Sequence, residues 1–356
     1  MFKFSVLGLI KTVLPLGLGV YLIWYFFSSM SEEALQYFYK AVREANYFWI
    51  ILALFLSFLA YASRAYRWRY VLEPMGYKTK FWNRYHAVMI GYIVNLTIPR
   101  AGEASRSAML YRSDGVPFSK SFGTIIAERA VDLVMLVGIA CITFYISSDD
   151  FGIIYEQIKT NFSPKDAEPG AFPWKLVIYG VLATLFVTFI GFMVFSIKWR
   201  SKLLGFAKDV FAGLISIFRS KNPLGYIGHT FFIWAAYVAY FAIPFLSMEE
   251  TKDFPIEGIM LGFIAGSLGI TFTNGGIGTF PLLVALVVVF FLVGKDPNAT
   301  EDAKNHAYAV GNAIGMIIWV SQTLMLIFLG LLSLVLLPKN YSKENVEAEI
   351  LEGQNS

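Results

Sequence analysis

The sequence is poor in charge and in cysteine. Of its 356 residues only 15% are charged and 57% are hydrophobic, where soluble domains carry roughly 25% charged residues. With a mean hydropathy of +0.59, there is too little charge to cover a water-facing surface, which excludes an ordinary soluble enzyme. The single cysteine, Cys141, excludes a disulfide framework, an iron–sulfur cluster and a thiolate zinc site. Three histidines, His86, His229 and His306, lie far apart without metal-ligand spacing and read as structural or interfacial. A net charge of +4 is too small to imply nucleic acid. No nucleotide-binding motif is present, so neither ATP nor any other cofactor is expected. Aromatic residues, by contrast, are abundant: they make up 17% of the chain, led by 33 Phe, and suit lipid-facing helices with interfacial Tyr and Trp belts. Composition therefore predicts a polytopic membrane protein.

A bilayer core about 30 Å thick requires about 20 helical residues. Six apolar blocks meet that length or nearly so: 12–30, 47–63, 121–147, 174–197, 227–247 and 306–337. The first follows Lys3 and Lys11, but its bulky exit Trp24-Tyr25-Phe26-Phe27 offers no small-residue cleavage site, so a retained helix is expected. Two further blocks are shorter. Residues 85–98 meet Pro99-Arg100-Ala101-Gly102-Glu103, and residues 258–272 meet Thr273-Asn274-Gly275-Gly276-Ile277-Gly278 before a second apolar run over 279–293. Proline and clustered glycine break helices, and bare backbone at membrane depth survives only inside protein or beside a water-filled cavity. Both blocks are read as re-entrant hairpins. With both termini cytoplasmic, eighteen of the 29 Lys and Arg fall on the cytoplasmic side and eight outside, in keeping with the positive-inside rule. Making the first hairpin a span would put the cationic 198–226 loop outside.

The expected fold is thus an all-α integral membrane protein with six transmembrane spans and two opposed re-entrant helical hairpins. Residues 1–147 form a first repeat (span, span, hairpin, span), 148–173 an external linker, 174–337 a second repeat, and 338–356 a polar cytoplasmic tail. Each repeat has three crossings, an odd number, so the second is inverted relative to the first, a layout shared by many secondary transporters. The second limb of the first hairpin, 104–111, is expected to be shorter than its counterpart.

Charge near mid-bilayer costs at least about 2.5–3.5 kcal/mol per residue. Two clusters nevertheless carry it: Pro99-Arg100-Ala101-Gly102-Glu103-Ala104-Ser105-Arg106 and Glu128-Arg129-Ala130-Val131-Asp132. Glu128 and Asp132, four apart, share a helical face, with Arg129 about 100° around from Glu128. One reading has Arg100, Arg106 and Arg129 grip an anionic group, since guanidinium forks match phosphate, while Glu103, Glu128 and Asp132 balance them, receive an amine or carry a proton. The other has an acid pair with Arg100 or Arg106 to pin the hairpin. At the second tip, Asn274, Gly275, Gly276 and Gly278 permit positive φ and expose backbone polar groups to a cavity; a plain tight turn is the alternative. Gly262, Gly266, Gly269, Gly311 and Gly315 sit at small-residue spacing for close helix packing. Asn95, Asn312 and Gln322 read as interhelical hydrogen-bonders, and Arg64-Ala65-Tyr66-Arg67-Trp68-Arg69-Tyr70 as an interfacial anchor on anionic lipid.

At Pro99-Arg100-x-Gly102-Glu103-x-x-Arg106, followed by Glu128-Arg129-x-x-Asp132, the chain resembles the flippase-like transmembrane domain of bacterial lysylphosphatidylglycerol synthases and their stand-alone relatives. The Gly275-Gly276-Ile277-Gly278 hairpin sits where that family has one. The resemblance implies lipid handling in a bacterial cytoplasmic membrane: in two-domain members this part moves aminoacylated phospholipid to the outer leaflet. The aminoacyl-transfer domain has no counterpart here, so synthase activity is not carried over. The family often reads Pro-Gly-Gly-x-Gly-x-x-Glu at the second hairpin, whereas Asn274 and Pro281 stand at the proline and glutamate positions.

The function expected is a flippase-like translocase, not an enzyme, that moves a membrane phospholipid or lipid-linked substrate without ATP. The rivals are a membrane-embedded headgroup transferase, with Glu128 or Asp132 as base, and a non-transporting partner of an envelope-lipid biosynthetic enzyme. Homo-oligomerisation is compatible with either role.

Overall fold

The computed structural model describes residues 32–98, 100–150, 222–294, 296 and 298–338, with isolated positions 21, 24, 28 and 152. The expected spans at 12–30 and 174–197, most of the linker and the C-terminal tail lie outside the described residues. Among those described the secondary structure is helical, with no strand. The described residues form nine α-helices in chain order: α1 Glu32–Glu44, α2 Tyr47–Leu72, α3 Phe81–Thr97, α4 Gly102–Asp114, α5 Phe118–Ile146, α6 Pro223–Ala242, α7 Ile256–Phe272, α8 Thr279–Val289 and α9 Glu301–Leu336.

Their ends follow from local chemistry. Asn46, Asn222 and Thr300 accept hydrogen bonds from the backbone N–H groups of Phe48, Gly225 and Ala303, capping α2, α6 and α9. Ile98, held before Pro99, is extended (φ −125°, ψ 108°) and ends α3. Gly115, at φ 68°, closes α4 with its N–H on the Tyr111 carbonyl. That left-handed cap lies beyond the expected limb 104–111, so α4 runs to 13 residues and the two hairpins are less unequal than the hydropathy suggested.

The segments 47–75, 223–247 and 301–336 are long and apolar enough to cross a membrane. They leave large apolar side chains uncovered, among them Ile51, Phe55, Phe231, Leu324, Phe328 and Val335, as a lipid-facing surface would. α1 falls in what composition reads as an external connection. It buries Phe38 and sets Tyr37 on the His306 ring, with centroids 4.3 Å apart, at the start of α9.

Two compact units divide the chain, residues 127–216 and the remainder. In the larger, α2 packs on α6, and α9 packs on both α3 and α8. Small residues set these contacts. A Cβ on Gly311 would lie 2.8 Å from the Ala285 Cα, one on Gly315 3.0 Å from the Pro281 Cα, and one on Gly330 2.7 Å from the Ile93 Cβ. Within α7, a Cβ on Gly262 would lie 3.1 Å from the Phe241 ring and one on Gly266 2.7 Å from the Phe280 ring. The small-residue reading of Gly262, Gly266, Gly269, Gly311 and Gly315 therefore holds.

Candidate functional site

The charged motif Pro99–Arg106 lies at the turn of a helical hairpin formed by α3 and α4. The limbs touch backbone to backbone, because a Cβ on Gly102 would sit 2.2 Å from the Gly91 carbonyl oxygen. Asn95 accepts a 2.7 Å hydrogen bond from the Gly102 N–H, supplying the cap that α4 otherwise lacks. Its predicted role as a hydrogen-bonder between helices holds. Arg100, at the turn, is exposed with φ 63°, a left-handed conformation that a non-glycine residue adopts at a cost. Glu103 is half-buried and Arg106, one turn on, is buried.

Arg106 stacks its guanidinium 3.9 Å above the Trp68 ring. Trp68 is fully buried and donates its indole N–H to the Thr124 hydroxyl at 2.8 Å. This contact corrects the reading of residues 64–70 as an interfacial anchor. α2 continues unbroken to Leu72, and Arg64 and Arg67 are 2% and 0% exposed. Arg67 donates to the Thr230 hydroxyl at 2.8 Å and lies 5.0 Å over the Tyr226 ring, and Arg64 lies 5.9 Å from the Tyr237 ring. Arg84, from α3, reaches the Ala65 carbonyl at 3.0 Å through Nε and also binds Thr79. Arg69, Tyr66 and Tyr70, on the outer side, do form an anchor-like group, with Arg69 3.5 Å from Glu73. The missed signal is periodicity: Tyr61, Arg64, Ala65, Trp68 and Leu72 recur at helical spacing across the point where hydropathy falls.

The second hairpin turns between α7 and α8 through Thr273–Gly278. Gly275, Gly276 and Gly278 have φ of 61°, 79° and 73°, the left-handed region that favours glycine, as expected. Thr273 and Thr279 join their hydroxyls at 2.7 Å, and Thr279 also reaches the Gly269 carbonyl at 2.7 Å, stapling the limbs. The backbone of Asn274 lies in a short 3₁₀ turn with Gly275 and Gly276. The two tips meet: a Cβ on Gly275 would be 2.6 Å from the Leu96 Cδ2 near the end of α3. Trp319 of α9 donates to the Gly275 carbonyl at 2.8 Å, tying the tip down.

Between these hairpins and α6 lies a layer of hydroxyl-bearing rings. Gln322 donates to the Tyr61 hydroxyl at 2.6 Å, the Tyr61 and Tyr92 rings are 4.9 Å apart, and the Tyr92 and Tyr237 hydroxyls are 3.3 Å apart. Gln322 thus bridges helices as expected. Asn312 instead donates its Nδ2 to the Tyr308 carbonyl of its own helix at 2.8 Å.

Glu128, Arg129 and Asp132 belong to the other compact unit and are described by themselves. They lie on α5, where Glu128 and Asp132 are buried and Arg129 is 3.6 Å from Asp132 one turn on.

These features define a multi-pass helical membrane protein with charge carried inside it. The chain belongs to the family of the lysylphosphatidylglycerol synthase TM region, whose pattern matches residues 12–300. The glycosyltransferase AglD of Haloferax volcanii is 24% identical over 349 residues, covering 90% of this chain and 54% of that protein. A UPF0104 membrane protein of Methanocaldococcus jannaschii is 28% identical over 101 residues, 28% of this chain and 30% of the relative. Another, from Pyrococcus horikoshii, is 24% identical over 65% of this chain and 76% of its own. The chain therefore spans little more than half of AglD and under a third of the first UPF0104 relative. No solved structure matches.

Proposed function

We propose that this protein is a lipid translocase of a cytoplasmic membrane, moving a phospholipid or lipid-linked headgroup between leaflets through a polar path at the meeting hairpin tips. The observation that carries this reading is Arg106, a guanidinium buried on the Trp68 ring directly below a hairpin turn that touches a second, glycine-rich one. Guanidinium at membrane depth marks an ion or substrate pathway more often than a structural accident. The hairpins enter as re-entrant elements from opposite faces of an inverted repeat, and both termini are cytoplasmic. Arg100 and Arg106 bind the headgroup anion, with Glu103 balancing their charge; Arg129, with Glu128 and Asp132 beside it, serves the same cycle as a charged group of its own unit. The glycine turn Asn274–Gly278 gives backbone contacts, and the acyl chains stay in the bilayer. Family membership supports a lipid-related role.

A second reading, a membrane-embedded glycosyl or headgroup transferase, is favoured by the name of the Haloferax volcanii relative. Nearly half of that relative lies outside the aligned part, so its activity has no necessary seat in the aligned part.

The test is leaflet exchange of headgroup-labelled phospholipids in proteoliposomes, wild type beside Arg129→Ala. Exchange by the wild type that falls at least about tenfold in the folded variant supports translocation. Unchanged exchange refutes the role of Arg129, and product formed from lipid and a sugar donor by this chain alone would move the assignment to the transferase.

A further inference from the structure

The inward faces of α6 and α9 both open at the hydroxyl-bearing layer, and both openings are polar. Along α6 the inward stripe runs through Ile233, Trp234, Tyr240 and Phe241, all buried. Tyr237 stands at its centre, three or four residues from each, yet is only half-buried. The lipid-facing Phe231 and Phe232 lie about 120–140° around the helix from it. Along α9, Gln322 stands four residues from Ile318 and four from Leu326, both buried, and is again half-buried. A residue in the middle of a buried stripe loses its cover only where the neighbouring helix stands off, so Tyr237 and Gln322 border an internal gap. On α3, Asn83 to Gly91 are buried and Tyr92 to Leu96 half-buried, which puts Tyr92 at the same opening.

The polar groups there hold spare hydrogen-bonding capacity. Gln322 gives one amide hydrogen to the Tyr61 hydroxyl at 2.6 Å, and its carbonyl oxygen has no partner among the described residues. The Tyr92 and Tyr237 hydroxyls stand 3.3 Å apart, beyond the roughly 2.5–3.0 Å of an ordinary O–H···O bond. Each hydroxyl can donate one bond and accept two. One turn before Tyr237, Trp234 is buried and its indole N–H has no acceptor among the described residues, with its ring edge-on to Tyr237 at 6.0 Å. Buried donors nearly always have a partner, so this N–H marks a place for an oxygen that the described residues do not supply. The Tyr61 ring, 4.9 Å from Tyr92 and 6.4 Å from Tyr237, completes an aromatic wall.

Phenols, an amide, an indole N–H and ring faces form a set without formal charge. A polyhydroxyl group matches it: the C–H face of a sugar lies on the rings, while its hydroxyls exchange bonds with phenol, amide and indole. Tyr92 stands one turn before Leu96, so the layer adjoins the meeting tips. We propose that Tyr61, Tyr92, Tyr237 and Gln322, with the Trp234 N–H, bind the polyhydroxyl, sugar-like headgroup of a membrane lipid and select the translocated substrate by its hydroxyls. This assignment rests on the translocase reading above and deepens it by naming the substrate class.

The test is native mass spectrometry of the full chain in an amine-oxide detergent, which carries no sugar. The probes are glucosyl diacylglycerol, diacylglycerol of the same acyl chains, and free glucose as competitor. The wild type is expected to retain the glucosyl lipid about tenfold or more over diacylglycerol. Tyr92→Phe/Tyr237→Phe, which keeps both rings and loses both hydroxyls, should lower that preference about tenfold. Tyr66→Phe, in the outer anchor group, should behave like the wild type. A double variant that melts like the wild type and keeps the preference would overturn the proposal, as would equal retention of the two lipids by the wild type. If the double variant fails to fold, the single variants Tyr92→Phe and Tyr237→Phe decide: a loss of about threefold or more supports the hydroxyl contacts, and an unchanged preference overturns them. Displacement by an equal concentration of glucose would keep the hydroxyl site and refute a lipid source. Glucosyl lipid retained by a wild type that shows no leaflet exchange would sink the translocase reading while leaving the site intact; exchange without any preference for the glucosyl lipid would do the reverse.

Discussion

Gly102 shows how the chemistry of one residue positions the charged turn. Its missing side chain lets α4 start against α3, and its N–H is the donor that Asn95 caps. A methyl group there would press on the Gly91 carbonyl and the Asn95 amide, the latter 2.5 Å away. Gly102→Ala is therefore expected to lose about 2 kcal/mol or more, by the cost of overpacking plus a displaced cap. Thermal denaturation in detergent reads this directly, and a melting temperature equal to that of the wild type would contradict the close approach. Arg100 carries the opposite feature, a left-handed backbone under a bulky side chain. Such strain persists at functional sites because the surroundings over-determine it. Neither feature is written in hydropathy, although Pro99 and Gly102 mark the turn from sequence.

At the scale of the element, the pattern of apolar lengths reads the hairpins well and the end of α2 poorly. The breaks at Pro99 and at Asn274–Gly278 were legible because proline and clustered glycine act locally. The course of α2 beyond Tyr61 was not: Arg64, Arg67 and Arg69 pull the mean hydropathy down just where the helix continues into the interior. Charge in a window average counts as a surface signal whatever it packs against, and the aromatic partners Trp68, Tyr226 and Tyr237 that accept these cations are set only by tertiary contact. α1 was missed for a related reason, since an amphipathic helix of 13 residues has no apolar block to find. The long helix α9 makes the reverse point. Its Gly311 and Gly315 were legible as close-packing residues, and Gly311 rests on the Ala285 backbone. Gly311→Leu should wedge α9 from α8 and lower stability by several kcal/mol. Retention of a wild-type melting profile and elution volume would show that the contact does not hold the hairpin.

Across the whole molecule, the larger unit brings the two hairpins together although they stand about 175 residues apart in sequence. Order and apolar length suggested two such elements; only the three-dimensional structure puts Leu96 against Gly275, because contact between distant turns leaves no trace in local composition. Glu128, Arg129 and Asp132 were legible as a charged cluster on one helix, and the Arg129–Asp132 pair follows from helical spacing alone. If lipid headgroups pass between the tips, the tips must part. A Cβ at Gly275 would lie 4.0 Å from the Leu96 Cα, which is within reach of a disulfide. The decisive measurement is leaflet exchange in proteoliposomes of Leu96→Cys/Gly275→Cys, with Cys141→Ser to remove the native thiol. The account predicts arrest of exchange when the pair is oxidised and recovery on reduction. Exchange that continues at the wild-type rate with the disulfide intact would contradict it.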